Sequence, residues 1–302
     1  MTGIPSTTRS SPTGRCWSTI RIGQVCALGL DETLFYKEGP WHTQRWATSI
    51  VDVSAGDGAR LLDVVAGRSA VGASRWLAAR PAEWREEIRY GVLDLSGPYR
   101  KTFTDILPHV IQVVDPFHLV KLANHKLDEC RRRVQNETLG HRGRKDDPLY
   151  RARRLLTKAH ERLDAAGDTK LVGLLRAGDP RGDVKTAWHA KEVIREIYTI
   201  DDPDLASGFV AQLGADLQDD SCPPPEVNSL GRTLIRWHAQ IVAWHQARVS
   251  NGPTEAVNNL IKRIKRIGFG FRRLRNYRIR ALLYAGRPNW DLLNTITPAE
   301  IR

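Results

Sequence analysis

Over the first third of the chain, apolar residues come in short runs; beyond about residue 120 they recur at helical spacing. Gln24 to Asp31 (QVCALGLD) is a short apolar run closed by an acid, a pattern that predicts a buried strand. Trp46 to Val53 and Arg60 to Val65 predict two further strands, joined by Ser54-Ala55-Gly56-Asp57-Gly58, a hairpin turn signal. Ala70 to Arg80 predicts a helix that stops at Pro81. Arg89 to Asp94 and Val110 to Asp115 are again apolar runs ending in an acid. Between them Gly97-Pro98 opens a short helix that Pro108 ends, and another helix starts near Phe117.

This order predicts a mixed α/β sheet, three antiparallel strands followed by crossover strands. Three strands then deliver an aspartate at an edge where such sheets usually carry their sites: Asp31, Asp94 and Asp115. From Leu119 to Val249 strand signals disappear, and helices such as Leu149 to Ala166, Val184 to Ile200 and Val227 to Arg248 follow one another. Trp188, Trp237 and Trp244 are expected in their packing, and Ser221-Cys222-Pro223-Pro224-Pro225 is the clearest linker. The expected organisation is a flexible lead-in over 1–21, a first part of the sheet domain over 22–120 and a helical insertion over 121–249. A last helical part of the sheet domain over 250–290 and a tail over 291–302 complete it.

Beyond the insertion, Asn251-Gly252-Pro253-Thr254-Glu255 opens a helix, with Pro253 suited to its first turn. Val257, Leu260, Ile261, Ile264 and Ile267 form the expected buried stripe, while Glu255, Asn258, Asn259, Lys262 and Arg266 share the wet face. The chain carries a formal charge of +12, and residues 262 to 280 hold nine Lys and Arg with no acid. A single-sign cluster of this kind points to a polyanion, with nucleic acid first. Phe269, Phe271, Leu274, Tyr277 and Ile279 interleave with the cations, so this segment is expected to fold. Cys16, Cys26, Cys130 and Cys222 are too scattered for a zinc ribbon or a disulfide framework, which fits a reducing cytoplasm. No run of about 18 apolar residues suggests a membrane span, and the first twenty residues lack a signal-peptide core.

Asp31, Asp94 and Glu255, with Asp115 and His118 beside them, make the candidate site. Carboxylates brought together raise one another's pKa values unless cations neutralise them. Two hard, oxygen-seeking Mg²⁺ ions (or Mn²⁺) would do so and could drive an in-line displacement at phosphorus. A zinc role for His118 finds nothing nearby to complete a tetrahedral set. Each strand-end aspartate also has a plainer reading as a turn residue or helix cap.

Several blocks together carry a resemblance. Leu30-Asp31-Glu32, the Asp94-Leu95-Ser96 turn, Val113 through Lys121, and Ser250 through Arg266 followed by Gly268-Phe269-Gly270-Phe271-Arg272 resemble the ISL-three family of bacterial insertion-sequence transposases. The match runs in consistent order from about residue 22 to 290. It implies the DDE superfamily's ribonuclease-H-like fold, interrupted by a helical insertion, and a Mg²⁺-dependent transposase. Such an enzyme nicks double-stranded DNA at element ends and joins the freed 3′-hydroxyl to target DNA, working as a homo-oligomer in a bacterial cytoplasm.

Carried over by position, Asp31 and Glu255 are the outer metal ligands, and the middle acid is Asp94 or Asp115. Sheet order favours Asp94 and leaves Asp115 and His118 as a supporting Asp-x-x-His element. Lys262, Arg263, Lys265, Arg266, Arg272 and Arg273 are the expected phosphate contacts. The cysteine-rich and helix-turn-helix regions usual at the start of relatives do not precede Asp31, so a catalytic core without end recognition is expected. A non-catalytic DNA-binding remnant and a structure-selective nuclease of the same fold stay open as alternatives.

Overall fold

A computed structural model describes residues 24–54, 58–219, 224–288 and 290. The lead-in, the centre of the Ser54–Gly58 turn, the start of the proline-rich linker and the tail lie outside the described residues. The strands form a mixed five-stranded sheet in the order β3-β2-β1-β4-β5, where β1 is Ala27–Glu38, β2 Thr43–Asp52, β3 Arg60–Ala66, β4 Tyr90–Leu93 and β5 Ile111–Val114. The expected mixed α/β class, antiparallel strands followed by parallel ones, is what the chain adopts. Its contacts divide it into two compact units.

The first unit takes the described residues of 24–89, 101–109 and 253–290. Here β1 pairs antiparallel with β2, and β2 with β3. Leu28, Leu30, Ile50 and Val51 are fully buried, and Val64 nearly so. One expectation needs correcting. Asp31 is the fifth of twelve residues of β1, inside the strand and not at its end. Thr33 and Phe35 continue the buried alternation past it, which carries the strand on to Glu38.

The register slips between Leu34 and Tyr36, a β-bulge that leaves backbone carbonyls without ladder partners. Against β3 packs α1 (Ala70–Ala78), shorter than predicted; Pro81 then caps a further short helix, α2 (Ala82–Glu86). Buried Asp63 of β3 accepts the Trp76 indole N–H at 2.7 Å and pairs with Arg278 through both oxygens, one at 2.7 Å.

The second unit comprises 90–100 and 110–252. Strands β4 and β5 run parallel with Leu93 opposite Val114, and α3 (Gly97–Ile106) follows β4 in sequence. Asp94 directly follows β4, and Asp115 is the N-cap of α4 (Pro116–Leu139), so both acids stand at strand ends as expected.

The rest is helical, as the periodicity predicts: α5 (Pro148–Thr157), α6 (Ala165–Gly178), α7 (Asp183–Glu196), α8 (Pro203–Asp216), α9 (Pro225–Arg236) and α10 (His238–Ala247). Leu127, Cys130 and Val134 of α4 form its core with Leu149, Leu171, Val184 and Val227, and Trp188 packs against it. Two long predicted helices are in fact broken. Lys158 is extended, and the buried ammonium of Lys191 caps the end of α5 by donating to the Leu156 and Lys158 carbonyls at 2.9 and 2.8 Å. Trp237, 4% exposed, leaves helical geometry between α9 and α10, and the Arg100 guanidinium lies 5.0 Å from its ring centre.

Candidate active site

The site in the first unit is built by a central strand and one long helix, α11 (Gly252–Ile267). The buried residues of α11 are Thr254, Val257, Asn258, Ile261 and Ile264, spaced i, i+3, i+4, i+7, i+10. This face differs from the predicted stripe. Ile267 is 67% exposed, and Asn258, expected on the wet face, is turned inward and 1% exposed.

A buried amide needs partners on both its ends, and Asn258 has them. Its Nδ2 donates to Asp31 Oδ2 at 2.6 Å, and its Oδ1 accepts from Ser49 Oγ at 2.6 Å. Ser49 faces Asp31 directly in the β1–β2 register. The second carboxylate oxygen of Asp31 accepts the Glu32 backbone N–H at 2.7 Å. The strand thus presents the acid, and the helix sets its plane.

Glu255 lies three residues before Asn258, in the first turn of the same helix and half-buried. Residues three apart on a helix are neighbours, with Cβ atoms roughly 5–6 Å apart. Asp31 and Glu255 therefore belong to one locality, although 224 residues separate them in sequence (255 − 31). On β1 itself, burial pushes the Glu32 carboxyl above its usual range, while Arg68 draws it down and Asp31 adds to the rise.

In the second unit Asp94 and Asp115 follow neighbouring parallel strands, and the Asp115 N–H donates to the Leu93 carbonyl at 3.3 Å. Asp115 is 3% exposed. Its Oδ1 accepts the Asn251 backbone N–H at 3.2 Å, and its Oδ2 lies 3.1 Å from His118 Nδ1. Both its oxygens are held by protein, which ties it to His118 and to the start of the Asn-Gly-Pro-Thr-Glu block. Burial, with Asp115 adding to it, holds the Tyr198 phenol well above its ordinary pKa. Cys130 is no nucleophile: burial pushes its thiol up to about 12.

Of the expected phosphate contacts, Lys262, Arg263, Arg266, Arg272 and Arg273 are exposed. Lys265 is placed differently. Its Nζ donates to the Leu34 and Phe35 carbonyls at 2.7 and 3.3 Å, at the bulge of β1. Burial, reinforced by Lys262 and Arg266, pulls its pKa down. Sequence reasoning assigned no role to Ser49, and it named Asn258 only as a face residue. The one available signal was a polar residue at each inward-facing position, opposite Asp31 on β2 and one turn after Glu255 on α11.

Asp31 and Glu255, both in the first unit, offer oxygen donors of the hard kind that Mg²⁺ accepts. Each Asp31 oxygen carries one hydrogen bond and keeps a lone pair for a further contact. Among the described residues, no three His, Cys, Asp or Glu side chains stand close enough together to hold an ion.

A mixed sheet with a helical block is the frame on which these acids stand, and residues 28–281 match the DDE-type ISL3 family of transposases. The chain belongs to that family. Among curated proteins it is similar to the transposase for insertion sequence element IS1557 of Mycobacterium tuberculosis, in strains CDC 1551 and H37Rv. Identity with each is 26% over 272 residues, covering 83% of this chain and 58% of the relative. The chain thus spans little more than half the length of those relatives. Among solved structures it is similar to the Drosophila P element transposase strand transfer complex, with 10% identity, a TM-score of 0.47, and 88% and 78% of the two chains covered. No helix among the described residues is long and apolar enough to cross a membrane.

Proposed function

We propose that this chain is the catalytic core of a DNA transposase, cutting phosphodiester bonds at element ends and joining the 3′-hydroxyl to target DNA. The observation that carries this reading is the Asn258 bridge, which ties Asp31 to the helix of Glu255 across 227 residues of sequence. Family membership supplies the reaction class. Asp31, Asp94 and Glu255 are the residues that would hold divalent metal, two Mg²⁺ ions in this reading. Bound there, the metal would activate a water or 3′-hydroxyl and stabilise the departing oxygen.

The chain's own residues orient and bind. Asn258 and Ser49 fix the Asp31 carboxylate. Asp94 is the middle acid in this reading, because it directly follows β4, the fourth strand in chain order. Asp115 and His118 are positioning residues. Lys262, Arg263, Arg266, Arg272 and Arg273 hold the DNA backbone without reading bases, and the active form is a homo-oligomer on double-stranded DNA.

The test is a pre-nicked duplex carrying an element end, incubated with Mg²⁺ or with EDTA. The transposase reading predicts metal-dependent products longer than the substrate, lost in Glu255→Gln. Products that are only shorter would identify a nuclease of the same fold. Salt-sensitive binding without chemistry from folded protein would identify a DNA-binding remnant.

A further inference from the structure

The hairpin end of the first unit carries a cleft that the catalytic reading does not use. It encloses about 430 Å³ and is walled by Arg45, Arg68 and Arg272 over a floor that includes Tyr36, Trp46 and Leu274. No acidic residue among the described residues lines it. In the β1–β2 register, Trp46 stands opposite Leu34 and Arg45 opposite Tyr36, three to five residues beyond the Asp31–Ser49 pair. At about 3.3 Å per residue this places the cleft roughly 10–17 Å along the strands from Asp31.

The cations here are not equivalent. Arg45 is balanced by Glu38, 2.5 Å away, which also accepts from the Tyr36 hydroxyl. The Arg68 guanidinium carbon lies 5.0 Å from the centre of the Trp46 ring, and its charge also acts on the Glu32 carboxyl, which does not line the cleft. Stacking of this kind fixes the guanidinium plane and leaves its N–H edge to donate. Arg272 comes from the turn before α12 (Leu274–Ala285) and is exposed. Two guanidiniums reaching one aromatic-floored cleft from distant parts of the chain match a doubly ligated oxyanion better than a merely solvated surface.

We propose that this cleft is a further DNA-backbone site, in which Arg68 joins Arg272, already counted among the phosphate contacts, to take phosphate oxygens. It rests on the reading of DNA as the substrate and adds where a strand leaving the carboxylates is held. Its separation from Asp31 corresponds to roughly three to five nucleotides at the ~3.4 Å rise of a duplex strand.

The experiment is fluorescence anisotropy of a labelled duplex of arbitrary sequence, in EDTA so that no chemistry occurs, over a salt series. Wild type is compared with R68A/R272A, with R68K/R272K, and with K262A/R263A on α11; thermal melts confirm that each variant is folded. Each phosphate contact contributes about 0.9 to the slope of log K against log salt, so R68A/R272A is expected to flatten that slope by roughly 2. A loss of about tenfold or more in affinity near 0.1 M salt should accompany it, and R68K/R272K should recover most of the slope. If R68A/R272A keeps the wild-type slope and affinity while K262A/R263A loses both, the cleft proposal is overturned and the DNA reading survives. If wild type binds no duplex even at low salt, the DNA reading fails and the cleft proposal with it.

Discussion

Asn258 Nδ2 donates to Asp31 Oδ2 at 2.6 Å, and the same amide takes the Ser49 hydroxyl on its other end. An amide held at both ends cannot rotate without losing a buried hydrogen bond. The Asp31 carboxylate is thereby fixed relative to the first turn of α11, where Glu255 sits.

Asn258→Ala should therefore damage chemistry more than DNA binding. Removing a group that orients a metal-ligating carboxylate typically costs 10–100-fold in metal affinity or activity. We expect that loss in joining rate at subsaturating Mg²⁺, partly recovered as Mg²⁺ rises, with duplex affinity in EDTA unchanged. Ser49→Ala should show a smaller loss of the same kind. A rate equal to wild type at every Mg²⁺ concentration would remove Asn258 from the site.

Lys265 and Lys262 should separate cleanly, although both sit in the basic run. The Lys265 ammonium is directed at the Leu34 and Phe35 carbonyls of the β1 bulge, whereas Lys262 faces solvent. Charged hydrogen bonds of this type are worth about 1.5–3 kcal/mol, so Lys265→Ala should lower stability in urea unfolding by about 1–2 kcal/mol. Its effect on the salt slope of DNA binding should be slight. Lys262→Ala should do the reverse: unchanged stability, and a slope shallower by about one.

Asp63 joins β3 to two other elements, accepting from Trp76 of α1 and pairing with Arg278 of α12. It is 4% exposed, so Asp63→Ala leaves an indole N–H and a guanidinium without their acceptor. Breaking a buried pair from one side costs about 3–5 kcal/mol; with Arg278 partly exposed, about 2–4 is expected in urea unfolding. Arg278→Ala should cost less than Asp63→Ala, and the opposite order would contradict this account.

His245 should make the second unit acid-sensitive. Burial depresses its pKa below 6.5, an effect the Ile200 carbonyl at Nδ1 only partly opposes. Below 6.5 the unfolded chain takes up a proton that the folded chain resists, so stability falls as pH drops from 6.5 through the folded pKa. Thermal melts between about pH 7 and 5 should show this slope, and His245→Gln should reduce it. An unchanged slope in that variant would place the titration elsewhere.

Much of the fold was legible because apolar runs and helical periodicity are local signals. The five strands, their antiparallel-then-crossover order and the helical block all followed from spacing. Asp31 was misplaced at a strand end because an acid after an apolar run looks like a terminus; what continues the strand is Thr33 and Phe35 being buried by the fold. Asn258 was set on the wet face because a pattern argument counts Asn as polar. Its inward turn depends on partners 227 and 209 residues away, which no local window contains. The broken helices share that cause. Lys191 caps the end of α5 from more than 30 residues downstream, and a Lys inside an amphipathic pattern gives no hint of it.

Mn²⁺ binding followed by electron paramagnetic resonance tests most directly whether Asp31 and Glu255 act as one metal-holding site. Wild type should bind Mn²⁺, Asp31→Asn, Asp94→Asn and Glu255→Gln should each weaken binding about tenfold or more, and Asp115→Asn should stay near wild type. Wild-type affinity in Asp31→Asn and Glu255→Gln, from folded protein, would contradict the account.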